Sequence, residues 1–129
     1  MISFIFSVNQ KIRVIITLIY LGIIITLSLI PSQDVPQIPW LENMDKFIHF
    51  FMYLGFTWLA SWSLHSENKA VIYYLVIIVT ICWGMLMEVF QLIMHYGRSF
   101  EWPDILANSI GAIIGVIIYN LMVTNQKKQ

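Results

Sequence analysis

The residues of this chain that can do chemistry are carboxylates, histidines and carboxamides set into apolar surroundings. In WGMLMEVFQLIMHYGR (residues 83–98), a run without charge from Ala70 through Met87 gives way to Glu88, Gln91, His95 and Arg98. DKFIH supplies Asp45, Lys46 and His49, and PDILAN supplies Asp104 and Asn108. A desolvated carboxylate beside an imidazole can work as an acid–base pair. The same groups, with Asn108 and Gln91, can instead hydrogen-bond a polar ligand, while Lys46 and Arg98 meet an anionic part. Asp45 and Asp104 also stand where N-caps would be, just before two apolar segments. HExxH and Cys/His ligand spacings are absent, as are GxSxG, the P-loop and the dinucleotide fingerprint. No metal ion and no cofactor are expected.

Elements that would position these groups follow from hydropathy. A membrane-spanning helix needs about 20 mostly apolar residues, and four segments qualify, at about 14–30, 46–64, 70–95 and 105–123. Pro31 ends the first and Pro103 precedes the fourth. Lys11 and Arg13 ahead of the first segment resemble a signal-peptide start, but the segment is long and SLIPSQD offers no small-x-small cleavage site, so it reads as a retained span. Composition agrees: of 129 residues, 59% are hydrophobic and 11% charged, and the mean hydropathy is +0.77. A soluble domain of this size would need a more polar surface. A net charge of zero excludes the Lys/Arg excess by which nucleic acid is bound. The single cysteine, Cys82, reads as a packing residue. The expected fold class is all-α, a four-transmembrane-helix bundle forming one domain over residues 1–129.

Lysine and arginine bias sets the orientation. Lys11, Arg13, Lys69, Lys127 and Lys128 fall on one side of a four-span chain, and Asp34, Glu42, Asp45, Glu101 and Asp104 collect on the other, beside Lys46 and Arg98. Both termini are therefore expected in the cytoplasm. Trp40, Tyr96 and Trp102 would lie at the outer interface, and Trp58, Trp62, Tyr73 and Tyr119 towards the inner one.

At about 100° per residue, Gly84, Glu88, Gln91 and His95 share one stripe of the third helix. Asp104, Asn108, Gly111 and Gly115 share one on the fourth, and Asp45, His49, Met52 and Phe56 one on the second. At about 1.5 Å per residue, Glu88 lies roughly 10 Å inward of His95, and His49 and Asn108 lie roughly 6 Å inward of Asp45 and Asp104. The polar ends point the same way, which predicts an outward-opening pocket with Glu88 at its floor. An acidic residue near a helix centre costs about 2.5–3.5 kcal/mol on insertion scales, whereas an interhelical polar contact contributes about 0.6 kcal/mol. That imbalance places a functional role for Glu88 ahead of mere helix fastening. GAIIG, with Gly111 and Gly115, reads first as a close helix contact and second as a homo-oligomer interface. Glu101, His65 and Asp34 are expected at the surface.

LSLIPS, DKFIHFFMYLGF, EVFQ and GRSFEWPDILANSIGAIIG together resemble the VanZ-like family of small bacterial membrane proteins, over about residues 27–118. The resemblance marks Asp45, Lys46, His49, Glu88, Gln91, Arg98, Asp104, Asn108 and Gly111. It implies a multi-pass protein of the bacterial cytoplasmic membrane, and a link to teicoplanin-type glycopeptide resistance in the family's namesake. The leading expectation is a cell-envelope protein whose pocket engages a lipid headgroup, a lipid-linked wall precursor or a glycopeptide antibiotic. Its ligand-binding residues would be Asp45, Lys46, His49, Glu88, Gln91, Arg98, Asp104 and Asn108. The alternative is a membrane-embedded hydrolase or transferase acting on a lipid-linked substrate, with His49 and Glu88 as the acid–base pair. An ion pathway ranks last, because the inner halves of the helices hold few polar groups.

Overall fold

The computed structural model describes residues 7–31, 34, 44–65, 69–94, 97 and 99–126, with Lys69 and Gln126 described in backbone only. Four helices and no strand occur among them: α1 (Gln10–Leu29), α2 (Asp45–Ser63), α3 (Lys69–Met94) and α4 (Trp102–Gln126). α1, residues 70–94 of α3 and residues 102–125 of α4 are long and apolar enough to cross a membrane. α2 is not among them. It has 19 residues and opens on Asp45, Lys46 and His49, and its polar groups face its neighbours.

Local signals account for the helix ends. The Asn9 side chain accepts from Lys11 N at 2.9 Å and caps α1, which stops at Leu29 ahead of Pro31, a residue that cannot continue the ladder. α4 starts at Trp102, so Pro103 lies in the first turn, where a missing N–H costs nothing. The Glu101 carbonyl accepts from Asp104 N at 3.1 Å. The N-cap expectation is thus corrected at both sites. Met44 precedes α2 with no side-chain cap, and Asp45 and Asp104 lie inside first turns. Their carboxylates are thereby free to face other helices. Gly97, between α3 and α4, has φ 73°, a left-handed conformation that suits glycine.

The bundle is apolar outside and partly polar inside. Ile15, Leu18, Phe51, Val79, Ile93 and Leu106 are among its many exposed large hydrophobic residues, while Thr17, His49, Thr57, Thr80, Glu88 and Asn108 are buried. This is the arrangement expected where lipid, not water, meets the surface. α2 and α4 form the closest pair. A Cβ at Gly111 would run into the Phe50 carbonyl, and one at Gly115 into Thr57 Oγ1 and the Leu54 carbonyl. The backbones approach because nothing stands between them.

The two ends of the bundle differ in chemistry. At one end, Arg13 Nη1 donates to the Trp62 carbonyl at 2.6 Å. Nearby, the Tyr119 ring meets Trp58 and Tyr73 edge-on at 5.9 Å each. Trp62 and Tyr119 are buried in that cluster, so aromatics expected near the inner interface also build core. His65, expected at the surface, is half-buried and pairs with Tyr119 Oη at 3.0 Å. An apolar cavity of about 310 Å³ lies among α1, α2 and α3, lined by residues including Leu18, Phe56 and Val76. At the other end stand the acids.

Candidate functional site

The acidic end is built by the first turns of α2 and α4, the segment before α4, and the last third of α3. Asp45 and Lys46 open α2, and His49 follows one turn later on the face turned to α4. Asp104 and Asn108 are likewise one turn apart on α4, and both are buried. Docking of α2 on α4 through Gly111 and Gly115 brings the two pairs together.

Lys46 is the hub. Its Nζ lies 2.6 Å from Glu101 Oε2, 3.2 Å from Asp45 Oδ2 and 2.6 Å from Asp104 Oδ1. The first two are hydrogen bonds, and the third is an ion pair by distance. His49 Nδ1 lies 3.1 Å from Asn108 Oδ1. In the tautomer with the proton on Nδ1, the ring donates to that oxygen. Nε2 then faces Asp45 Oδ1 at 3.8 Å and Asp104 Oδ2 at 3.7 Å, both too long for hydrogen bonds. Asp45, His49 and Asp104 each bring one ligand-type atom within 4.8 Å of the others.

Glu88 is fully buried. Its Oε2 accepts from the Glu101 backbone N–H at 3.1 Å, so α3 is tied to the segment that starts α4. Oε1 has no hydrogen-bond partner among the described residues, nor has Asn108 Nδ2. Gln91, also buried, faces elsewhere: Nε2 donates to the Ser28 carbonyl at 2.8 Å and fastens α3 to α1.

Six of the expected site residues (Asp45, Lys46, His49, Glu88, Asp104 and Asn108) are therefore brought to one end through direct contacts or through Glu101. Gln91 is joined to α1 instead. Arg98 and His95 lie outside the described residues, as do Trp40, Glu42, Tyr96, Lys127 and Lys128. Glu101, expected at the surface, is the residue that sequence reasoning missed. Its side chain is 44% exposed, yet it holds Lys46 with its carboxylate and Glu88 with its N–H. Its place immediately before α4 was the available signal, because backbone N–H groups at a helix start lack partners. On α2 the buried stripe continues through Tyr53 and Thr57, while Met52 and Phe56 are half-buried. A helix face drifts between the i+3 and i+4 positions, and contact with Gly115 selects Thr57.

Chemically, four carboxylates surround one ammonium and one imidazole. Lys46 is already shared among three acids, so the described cluster offers no bare cation to an anion. It offers hydrogen-bond acceptors and a negative field.

Comparison with curated proteins and with solved structures finds no match. The model of one family, described as VanZ/LLP1, matches residues 1–123. With a match spanning nearly the whole chain, and six of the marked residues gathered at one end of an apolar bundle, the chain belongs to the VanZ/LLP1 family.

Proposed function

We propose that this is a multi-pass protein of the bacterial cytoplasmic membrane whose acidic end binds the polar head of a lipid or lipid-linked envelope component. α2 counts as the fourth span in this reading, with both termini inside and Asp45 and Asp104 at the outer face. The carrying observation is that buried polar side chains of α2, α3 and α4 converge at one end of a bundle that is apolar outside. Burying so many polar groups in lipid surroundings is costly, and such residues mark functional sites by default. A ligand there would hydrogen-bond to the half-exposed Asp45 and Glu101 carboxylates, with its tail along the apolar helix faces. A glycopeptide with a lipid tail offers the same chemistry, which is how a resistance role would fit.

Holding is favoured over acid–base catalysis. Glu88 Oε2 is engaged by the Glu101 N–H and His49 Nδ1 by Asn108 Oδ1, and no hydrogen bond joins Glu88 to His49 as an acid–base pair. Native mass spectrometry of the protein with purified lipid-linked precursor tests the reading. Wild type is expected to retain the precursor unchanged, and His49→Ala and Asn108→Ala to lose it by at least about tenfold while keeping their helicity. Equal retention by folded variants would refute the site. A product formed by wild type and lost in Glu88→Gln would replace binding with catalysis.

A further inference from the structure

The six atoms facing one another at the acidic end are divided in an ordered way. Each carboxylate of Asp45 and Asp104 gives one oxygen to Lys46 and turns the other towards His49 Nε2. The other imidazole nitrogen is held by Asn108 Oδ1. Three electron-rich atoms (Asp45 Oδ1, His49 Nε2 and Asp104 Oδ2) thus face a common point, each with its companion atom anchored elsewhere.

The spacings decide what that point suits. At 3.7 and 3.8 Å, His49 Nε2 is too far from either oxygen for a hydrogen bond. Ligand atoms about 2.0–2.2 Å from a tetrahedral ion lie roughly 3.3–3.6 Å from each other, so both distances need to close by only a few tenths of an ångström for the atoms to share one. Outer partners also match the usual pattern, in which a ligating histidine donates its far N–H to a carbonyl and ligating carboxylates are themselves held.

A second observation points to a cation independently of these three side chains. Glu88, fully buried and tied through Oε2 to the segment before α4, keeps Oε1 without a hydrogen-bond partner among the described residues. Among the described residues of this cluster, Asp45, Glu88, Glu101 and Asp104 are acidic and only Lys46 is basic. A divalent ion would offset the negative charge that Lys46 leaves on the three carboxylates around it, in a site where unpaired charge is expensive.

We propose that Asp45 Oδ1, His49 Nε2 and Asp104 Oδ2 form a three-ligand site for a divalent transition-metal ion of the Zn²⁺ class, positioned by Lys46 and Asn108. One nitrogen and two oxygens suit Zn²⁺, and three protein ligands leave a position open. That open position would take an oxygen of the proposed lipid head, and only this last point rests on the binding reading. Through it, an acidic cluster gains a positive centre able to meet a phosphate or carboxylate oxygen.

The test uses the full chain, free of any tag, in a Cys82→Ser background that removes the exposed thiol. After chelation and dialysis, Zn²⁺ is titrated by calorimetry and bound metal is measured by mass spectrometry. About one Zn²⁺ per chain is expected, with affinity lowered more than about 100-fold in His49→Ala and in the near-isosteric Asp104→Asn. Lys46→Met and Asn108→Ala should weaken it by about 10–100-fold, the usual effect of losing an outer partner. Co²⁺ in place of Zn²⁺ should give a four- or five-coordinate absorption spectrum that Asp104→Asn abolishes. No bound Zn²⁺ in wild type, or equal binding by the folded variants, overturns the metal site. If wild type binds no Zn²⁺ yet still retains lipid through His49, the metal site fails and the binding reading stands. Zn²⁺ bound through His49 with no lipid retained reverses that outcome.

Discussion

Lys46 and Glu88 look like opposites, one half-exposed and one fully buried, yet both work through Glu101. Glu101 Oε2 holds the Lys46 ammonium, and Glu101 N–H meets Glu88 Oε2. Deleting the Glu88 carboxylate leaves that N–H unpartnered. A part-buried donor stranded in this way costs towards the low end of about 1–3 kcal/mol. Glu88→Ala is therefore expected to lower stability by that amount in detergent denaturation, and Glu88→Gln, which keeps an acceptor oxygen, to lower it much less. Equal losses in the two variants would mean that the hydrogen bond to Glu101 is not what holds the start of α4. Lys46 changes meaning at this scale too. As a lone cation it reads as an anion contact, but three carboxylates already surround it.

Among the elements, the α2–α4 pair governs the site, because His49 meets Asn108 only when those helices lie nearly backbone to backbone. Gly111 and Gly115 permit that approach within one chain. Gly111→Val would force a side chain against the Phe50 carbonyl, and overpacking of a tight contact costs about 1–3 kcal/mol. The expected result is a lower denaturation midpoint together with weaker ligand retention, since the same separation sets both. A midpoint equal to wild type would show that the helices part without consequence. GAIIG was legible in the sequence as a close helix contact, but its partner was not, because a small-residue motif carries no information about which surface it meets. The same limit explains Gln91. It shares a stripe with Glu88 on α3, yet its reach ends on the Ser28 carbonyl of α1.

For the whole molecule, the separation of acidic and basic ends supports one orientation in the membrane. Basic residues favour the cytoplasmic side, which would hold Lys11, Arg13 and both termini, leaving Asp45, Glu101 and Asp104 outside. In the Cys82→Ser background, a membrane-impermeant maleimide added to intact cells is expected to label Met44→Cys. Lys128→Cys should react only after the membrane is opened. The reverse pattern would invert the bundle and put the acidic end in the cytoplasm. It would leave the contacts among Lys46, His49 and Asn108 as they are.

Helix number and approximate ends, the apolar exterior, and the gathering of Asp45, His49, Glu88, Asp104 and Asn108 at one end were all determined by the sequence itself. Each rests on hydropathy or on a period of about 3.6 residues, and both are local properties of the chain. The tertiary structure alone decided the rest: that Glu101 belongs to the cluster, that Gln91 turns to α1, and which oxygen of each aspartate faces Lys46 or His49. Those choices depend on how far the four helices rotate and approach when they dock. That docking is fixed by contacts between residues distant in sequence, which no local pattern encodes.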